Sequence, residues 1–65
     1  MNVYVVKGSE DGYCGTYGSK KRALQYAMDY ITQGEECEVE TREYDHIIVL
    51  EGNGVSVEIY KDEVQ

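Results

Sequence analysis

Ala23, Leu24, Ala27, Met28 and Ile31 fall at i, i+1, i+4, i+5 and i+8, the spacing of one face of an α-helix. Ser19 stands where an N-cap belongs and Gly34 where a C′ stop belongs, so the spacing predicts one helix between them. Tyr26 and Tyr30 sit one turn apart beside the stripe and are expected to seal the core's edge with their hydroxyls in water. Every other ordered stretch of the chain reads as extended. A chain with a single helix must bury that helix against a sheet.

The strands follow from period two. Val3-Tyr4-Val5-Val6 is apolar at both parities, as in a central strand covered on both faces, and Gly8 to Gly12 forms a polar turn. Tyr13 to Tyr17 resumes the extended pattern, with Tyr13, Gly15 and Tyr17 on one side and Cys14 and Thr16 on the other. After the helix, Cys37, Val39 and Thr41 are expected to face the core, and Glu36, Glu38, Glu40 and Arg42 to face outward. Tyr44-Asp45 marks a turn or bulge. His46 to Leu50 reads as a second central strand, and Gly52-Asn53-Gly54 is a hairpin signal. Val55, Val57 and Ile59 then point inward, and Ser56, Glu58 and Tyr60 outward. The tail from Lys61 to Gln65 is polar and expected to fray, with Val64 as a docking point. The predicted fold is α+β, ordered β-β-α-β-β-β: an antiparallel sheet with one helix packed on one face, in a single compact domain over 1–65.

Size restricts what such a domain can do. A chain of this length buries only about 60% of the surface its unfolded form exposes, which leaves little interior for a deep cleft. Thirteen acids against six bases give a net charge of −7. Direct binding to nucleic acid and to anionic membranes is disfavoured, because both need a basic footprint. The N-terminal apolar run is short and lacks a preceding positive region, so a cytoplasmic location is expected. Cys14 and Cys37 are then expected to act as two small buried hydrophobes rather than as a disulfide.

The motifs that could carry chemistry do not complete themselves. Gly12 to Lys21 runs glycine-rich into a helix, yet the G-x-x-x-x-G-K-[ST] pattern is absent. Cys14, Cys37 and His46 could supply three zinc ligands, but without a C-x-x-C or H-x-x-x-H spacing. Glu10-Asp11-Gly12 lacks the later ligands of a calcium loop. Lys20-Lys21-Arg22, the one basic cluster, opposes the helix dipole and reads as a solvated helix end or a pairing site for nearby acids. No enzyme activity and no cofactor are expected.

What remains is the acidic run GEECEVETREYD, residues 34–45. On a regular strand, Glu36, Glu38 and Glu40 would recur about every 6.6 Å along one face. Such a row guards an edge against aggregation, or it meets a basic partner. The candidate partner-binding residues are Glu36, Glu38, Glu40, Glu43, Tyr44 and Asp45, with Tyr44 as an aromatic anchor.

The N-terminal half also resembles a class of small phage and bacterial domains. Its matching features are the Val3-Tyr4-Val5-Val6 strand, the Asp11-Gly12 turn, Gly15-Thr16-Tyr17-Gly18-Ser19 and the early helical Ala23. The resemblance implies a β-β-α start and a phage origin, and it transfers no active site. The expected function is therefore a non-enzymatic module that binds a protein with a basic surface. With a phage origin, it would inhibit or modulate a host nucleic-acid-binding protein, its carboxylates lying where phosphates would. Two alternatives stand beside it: a homodimer pairing through an edge strand, and a small metal-binding protein.

Overall fold

The computed structural model describes residues 2–63. It has the order β1 (Asn2–Gly8), β2 (Gly12–Tyr17), α1 (Lys20–Thr32), β3 (Glu40–Glu43), β4 (Ile47–Gly52) and β5 (Val55–Glu63). The strands form one antiparallel sheet in the order β2-β1-β5-β4-β3. The predicted β-β-α-β-β-β architecture is the one that forms.

Helix α1 begins as its sequence predicts. The Ser19 hydroxyl accepts a hydrogen bond from the Arg22 amide at 3.1 Å. At the other end Gln33 and then Gly34 take positive φ, which ends the helix and turns the chain back. Ala23, Ala27 and Ile31 are fully buried against Val6, Ile48, Leu50, Val57 and Ile59 of the sheet. Burying a branched aliphatic side chain is worth about 1.5–3 kcal/mol, so this layer is the main source of stability. Leu24 packs half-buried beside it, whereas Met28, expected on the buried stripe, is 40% exposed.

The β4–β5 hairpin closes through Asn53 and Gly54, both at positive φ, the pairing that two-residue turns matching strand twist require. Asn53 also donates from Nδ2 to the Ile31 carbonyl at 3.2 Å, which ties the turn to a carbonyl near the helix end. Val57 and Ile59 are buried and Val55 is packed against the core, as expected from the alternation.

Four details differ from the sequence reading. Val6 pairs with Gly15 but Lys7 pairs with Tyr13, so Cys14 is the extra residue of a β-bulge. The bulge puts Tyr13 on the same side as Thr16, whose hydroxyl lies 2.7 Å from the Tyr13 hydroxyl, and packs Cys14 half-buried against the core. Cys37 is likewise half-buried rather than buried, and both thiols are free. Tyr30 does not leave its hydroxyl to water but donates to Asp11 Oδ2 at 2.9 Å. Finally, β5 continues through Glu63, where Lys61, Asp62 and Glu63 pair with Tyr4, Val3 and Asn2. A partner strand therefore holds residues expected to fray, while Val64 and Gln65 lie outside the described residues.

Candidate acidic interface

The acidic run does not form one long strand. Only Glu40 to Glu43 enters the ladder, and residues 36–39 form an irregular connection outside it. The cause lies in the neighbouring strand. Glu40 pairs with Glu51, so residues before 39 would need partners at and beyond Asn53, where β4 has already turned into the hairpin. The connection instead crosses the end of the sheet. A Cβ on Gly52 would lie 2.6 Å from the Glu38 carbonyl oxygen and 3.0 Å from Ile31 Cγ2. Gly52 is the space through which the acidic segment passes.

Parity holds only in part. Cys37 and Val39 pack half-buried against the core and Glu36 and Glu38 are exposed, as expected. Thr41, expected to face the core, is exposed. Helix α1 packs on β1, β2, β4 and β5 and not on β3, which it meets only through the Lys20 side chain at Glu43, so Thr41 is left uncovered.

The expected row of equivalent glutamates is divided by its local cations. Arg42 Nε donates to Glu40 Oε1 at 3.2 Å, and its guanidinium lies 3.5 Å from Glu51. The hydrogen bond to Glu40, reinforced by the charges of Glu40 and Glu51, raises the Arg42 pKa above its ordinary value. At the far end of β3, Lys20 Nζ reaches Glu43 at 2.7 Å. One residue of the basic cluster is thus a pairing site for the acidic edge. Among the described residues, no cation lies within salt-bridge distance of Glu35, Glu36, Glu38 or Asp45, all of which are exposed.

Tyr44 is 56% exposed, and its amide donates to the Ile47 carbonyl across the bend that holds Asp45 and His46. His46 is exposed and its carbonyl accepts from the Lys61 amide, which fixes the start of β4. A shallow cavity of about 70 Å³ lies here, lined by Tyr4, Lys20, Glu43, Tyr44, Asp45 and His46 among others. Typical small-molecule pockets are several times larger, about 300–1,000 Å³. Among the described residues, no group of three or more His, Cys, Asp or Glu side chains is placed to hold a metal ion. Nor is any helix there long and apolar enough to cross a membrane.

The candidate residues therefore lie along one edge in two groups. Glu36 and Glu38 cross the end of the sheet near Gly52, Glu43, Tyr44 and Asp45 lie at the opposite end of β3, and Glu40 is engaged between them. Sequence reasoning omitted Glu35, which adjoins the first group and is exposed without a cation. The signal available for it was its place in the same acidic run. No family model, curated protein or solved structure matches this chain.

Proposed function

We infer that this chain is a non-enzymatic protein-binding module whose acidic edge, residues 35–45, receives a basic surface of another protein. The observation that carries this reading is the distribution of cations along that edge. Lys20 and Arg42 are spent on Glu43, Glu40 and Glu51, which leaves Glu35, Glu36, Glu38 and Asp45 without a salt bridge among the described residues. Unpaired carboxylates at an edge are attractive to a cationic surface, and they steer its approach over a Debye length of about 8 Å at physiological salt. Tyr44, exposed beside Asp45 at the end of β3, supplies the apolar anchor such an interface needs. The partner is a protein whose basic surface ordinarily holds nucleic acid, with the carboxylates standing in for phosphates.

The test is capture of proteins from a cell extract by the immobilised chain, with wild type beside a variant carrying Glu35→Gln, Glu36→Gln, Glu38→Gln and Asp45→Asn. A basic protein retained at low salt, and lost both at high salt and on the variant, is the expected result. Retention equal on both and indifferent to salt would reject the acidic edge as the working surface.

A further inference from the structure

The sheet has two edges, β2 and β3, and they are not alike. The β2 edge carries the Cys14 bulge, which breaks its register with β1, and bulges turn an edge away from further pairing. Strand β3 runs in unbroken register with β4 from Glu40 to Glu43 and contains no proline. All of its residues are exposed, and among the described residues no strand lies on its outer side. The ladder determines which backbone groups are left over. The Tyr44 amide donates to the Ile47 carbonyl at 2.8 Å, so the ladder starts on a hydrogen-bonded pair. Such pairs alternate along an antiparallel ladder, so the backbones of Arg42 and Glu40 bond those of Val49 and Glu51. The bond from the Lys61 amide to the His46 carbonyl gives the same phase from the other side, since it turns the backbones of Ile48 and Leu50 toward β5. Thr41 and Glu43 therefore direct their N–H and C=O groups outward, away from the sheet.

We propose that an extended basic segment of the partner protein adds to β3 and continues the sheet, which rests on the acidic edge being the binding surface. An added strand takes its affinity from main-chain hydrogen bonds and its selectivity from alternating side chains. Thr41 and Glu43 each offer it one donor and one acceptor. Charge selects the occupant. Residues 36–43 carry Glu36, Glu38, Glu40 and Glu43 against Arg42, a net −3. Two copies brought together along this segment repel each other, whereas a strand rich in lysine or arginine is attracted. Charge of one sign thus guards the edge against a second copy of the chain and leaves it open to a basic strand.

The side chains around those backbone groups fit such a strand. Thr41 lies opposite the buried Leu50, so its side chain is on the helix side of the sheet, where it is exposed and leaves room for an uncharged neighbour. Side chains of residues opposite each other in paired strands stand about 5 Å apart. The outward N–H and C=O groups occupy the middle of the edge, and carboxylates without a salt bridge flank them among the described residues: Glu36 and Glu38 before β3, Asp45 after it. Main-chain bonds in the middle set the position of the incoming strand, and lysine or arginine toward its two ends meets the acids that this chain leaves uncompensated.

The experiment measures amide hydrogen exchange in the full chain with and without a synthetic peptide of about eight residues alternating lysine and threonine. At saturating peptide the Thr41 and Glu43 amides should slow at least about tenfold, while those of Glu40 and Arg42, already bonded to β4, should change less. The same peptide with every backbone nitrogen methylated should protect neither. Thr41→Pro removes one outward N–H without touching a bond to β4 or a carboxylate, and edge strands accept proline at such positions. It should weaken peptide binding about tenfold. Should that variant lose its circular dichroism spectrum, exchange in the wild-type chain decides alone. A peptide that does not bind, binding without protection of Thr41 and Glu43, or equal protection by the methylated peptide overturns the proposal. So does protection that grows with chain concentration in the absence of peptide, which would put a second copy on the edge. Salt-sensitive binding that leaves both amides unprotected rejects strand addition and keeps the acidic edge. Protection unchanged in the variant carrying Glu35→Gln, Glu36→Gln, Glu38→Gln and Asp45→Asn rejects those carboxylates and keeps strand addition.

Discussion

Lys20 Nζ lies 2.7 Å from Glu43 Oε1, an ion pair that joins the first turn of the helix to the edge strand of the sheet. Both side chains are about half exposed, so the pair is worth at most about 1 kcal/mol, and Lys20 also opposes the dipole of its own helix. Its main effect is on charge, because it neutralises one end of the acidic edge. Lys20→Ala should leave stability within about 0.5 kcal/mol of wild type while strengthening association with a cationic partner. Chemical denaturation and a binding titration on the same variant check both parts.

Gly52 fixes the path of the acidic segment. Gly52→Val should cost about 1–3 kcal/mol, because the added carbons meet the Glu38 carbonyl and Ile31, and backbone cannot yield as a side-chain tip does. Amide chemical shifts of residues 36–39 should move most. A stability loss without any change in that segment would show that Gly52 matters for the hairpin and not for the acidic edge.

Asn53 serves both the turn and the helix end. Asn53→Ala removes its hydrogen bond to the Ile31 carbonyl and places alanine at a φ of 50°, so a loss of about 1–2 kcal/mol in denaturant unfolding is expected. Asn53→Gly, which keeps the turn geometry and loses only the hydrogen bond, should cost less.

Three tyrosines make stability depend on alkaline pH. Burial, then Cys14, raises the Tyr26 pKa; burial, then the bond to Asp11, raises that of Tyr30; and the hydrogen bond to Glu58, then burial, raises that of Tyr60. A phenol whose pKa is higher folded than unfolded stabilises the fold fully below the unfolded value, near 10, and loses that contribution as pH rises through the folded value. Stability contributed by these groups should therefore be constant through neutral pH and fall above about 10. Denaturation at stepped alkaline pH tests this, and Tyr30→Phe should flatten part of the decline.

The fold was readable because each element carries its own local signal: the helical stripe with Ser19 before it, and the Asn53-Gly54 turn between alternating strands. What the sequence could not supply was non-local. The length of β3 depends on where β4 turns away, so residues 36–39 look like a strand and lack a partner. The exposure of Thr41 depends on how far α1 reaches across the sheet. The division of the glutamates into paired and unpaired depends on Lys20, whose partner Glu43 is remote in the chain. Cys14 shows the same limit, since a single bulge reversed the expected side of Tyr13.

The central claim is that the carboxylates left without cations on the 35–45 edge do the binding. The most direct measurement is the affinity for the captured basic partner across a salt series, for wild type and for the variant carrying Glu35→Gln, Glu36→Gln, Glu38→Gln and Asp45→Asn. The wild-type chain should weaken steadily as salt rises, and the variant should bind weakly with a much shallower dependence. A variant that binds as tightly as wild type, with the same salt dependence, would contradict the account.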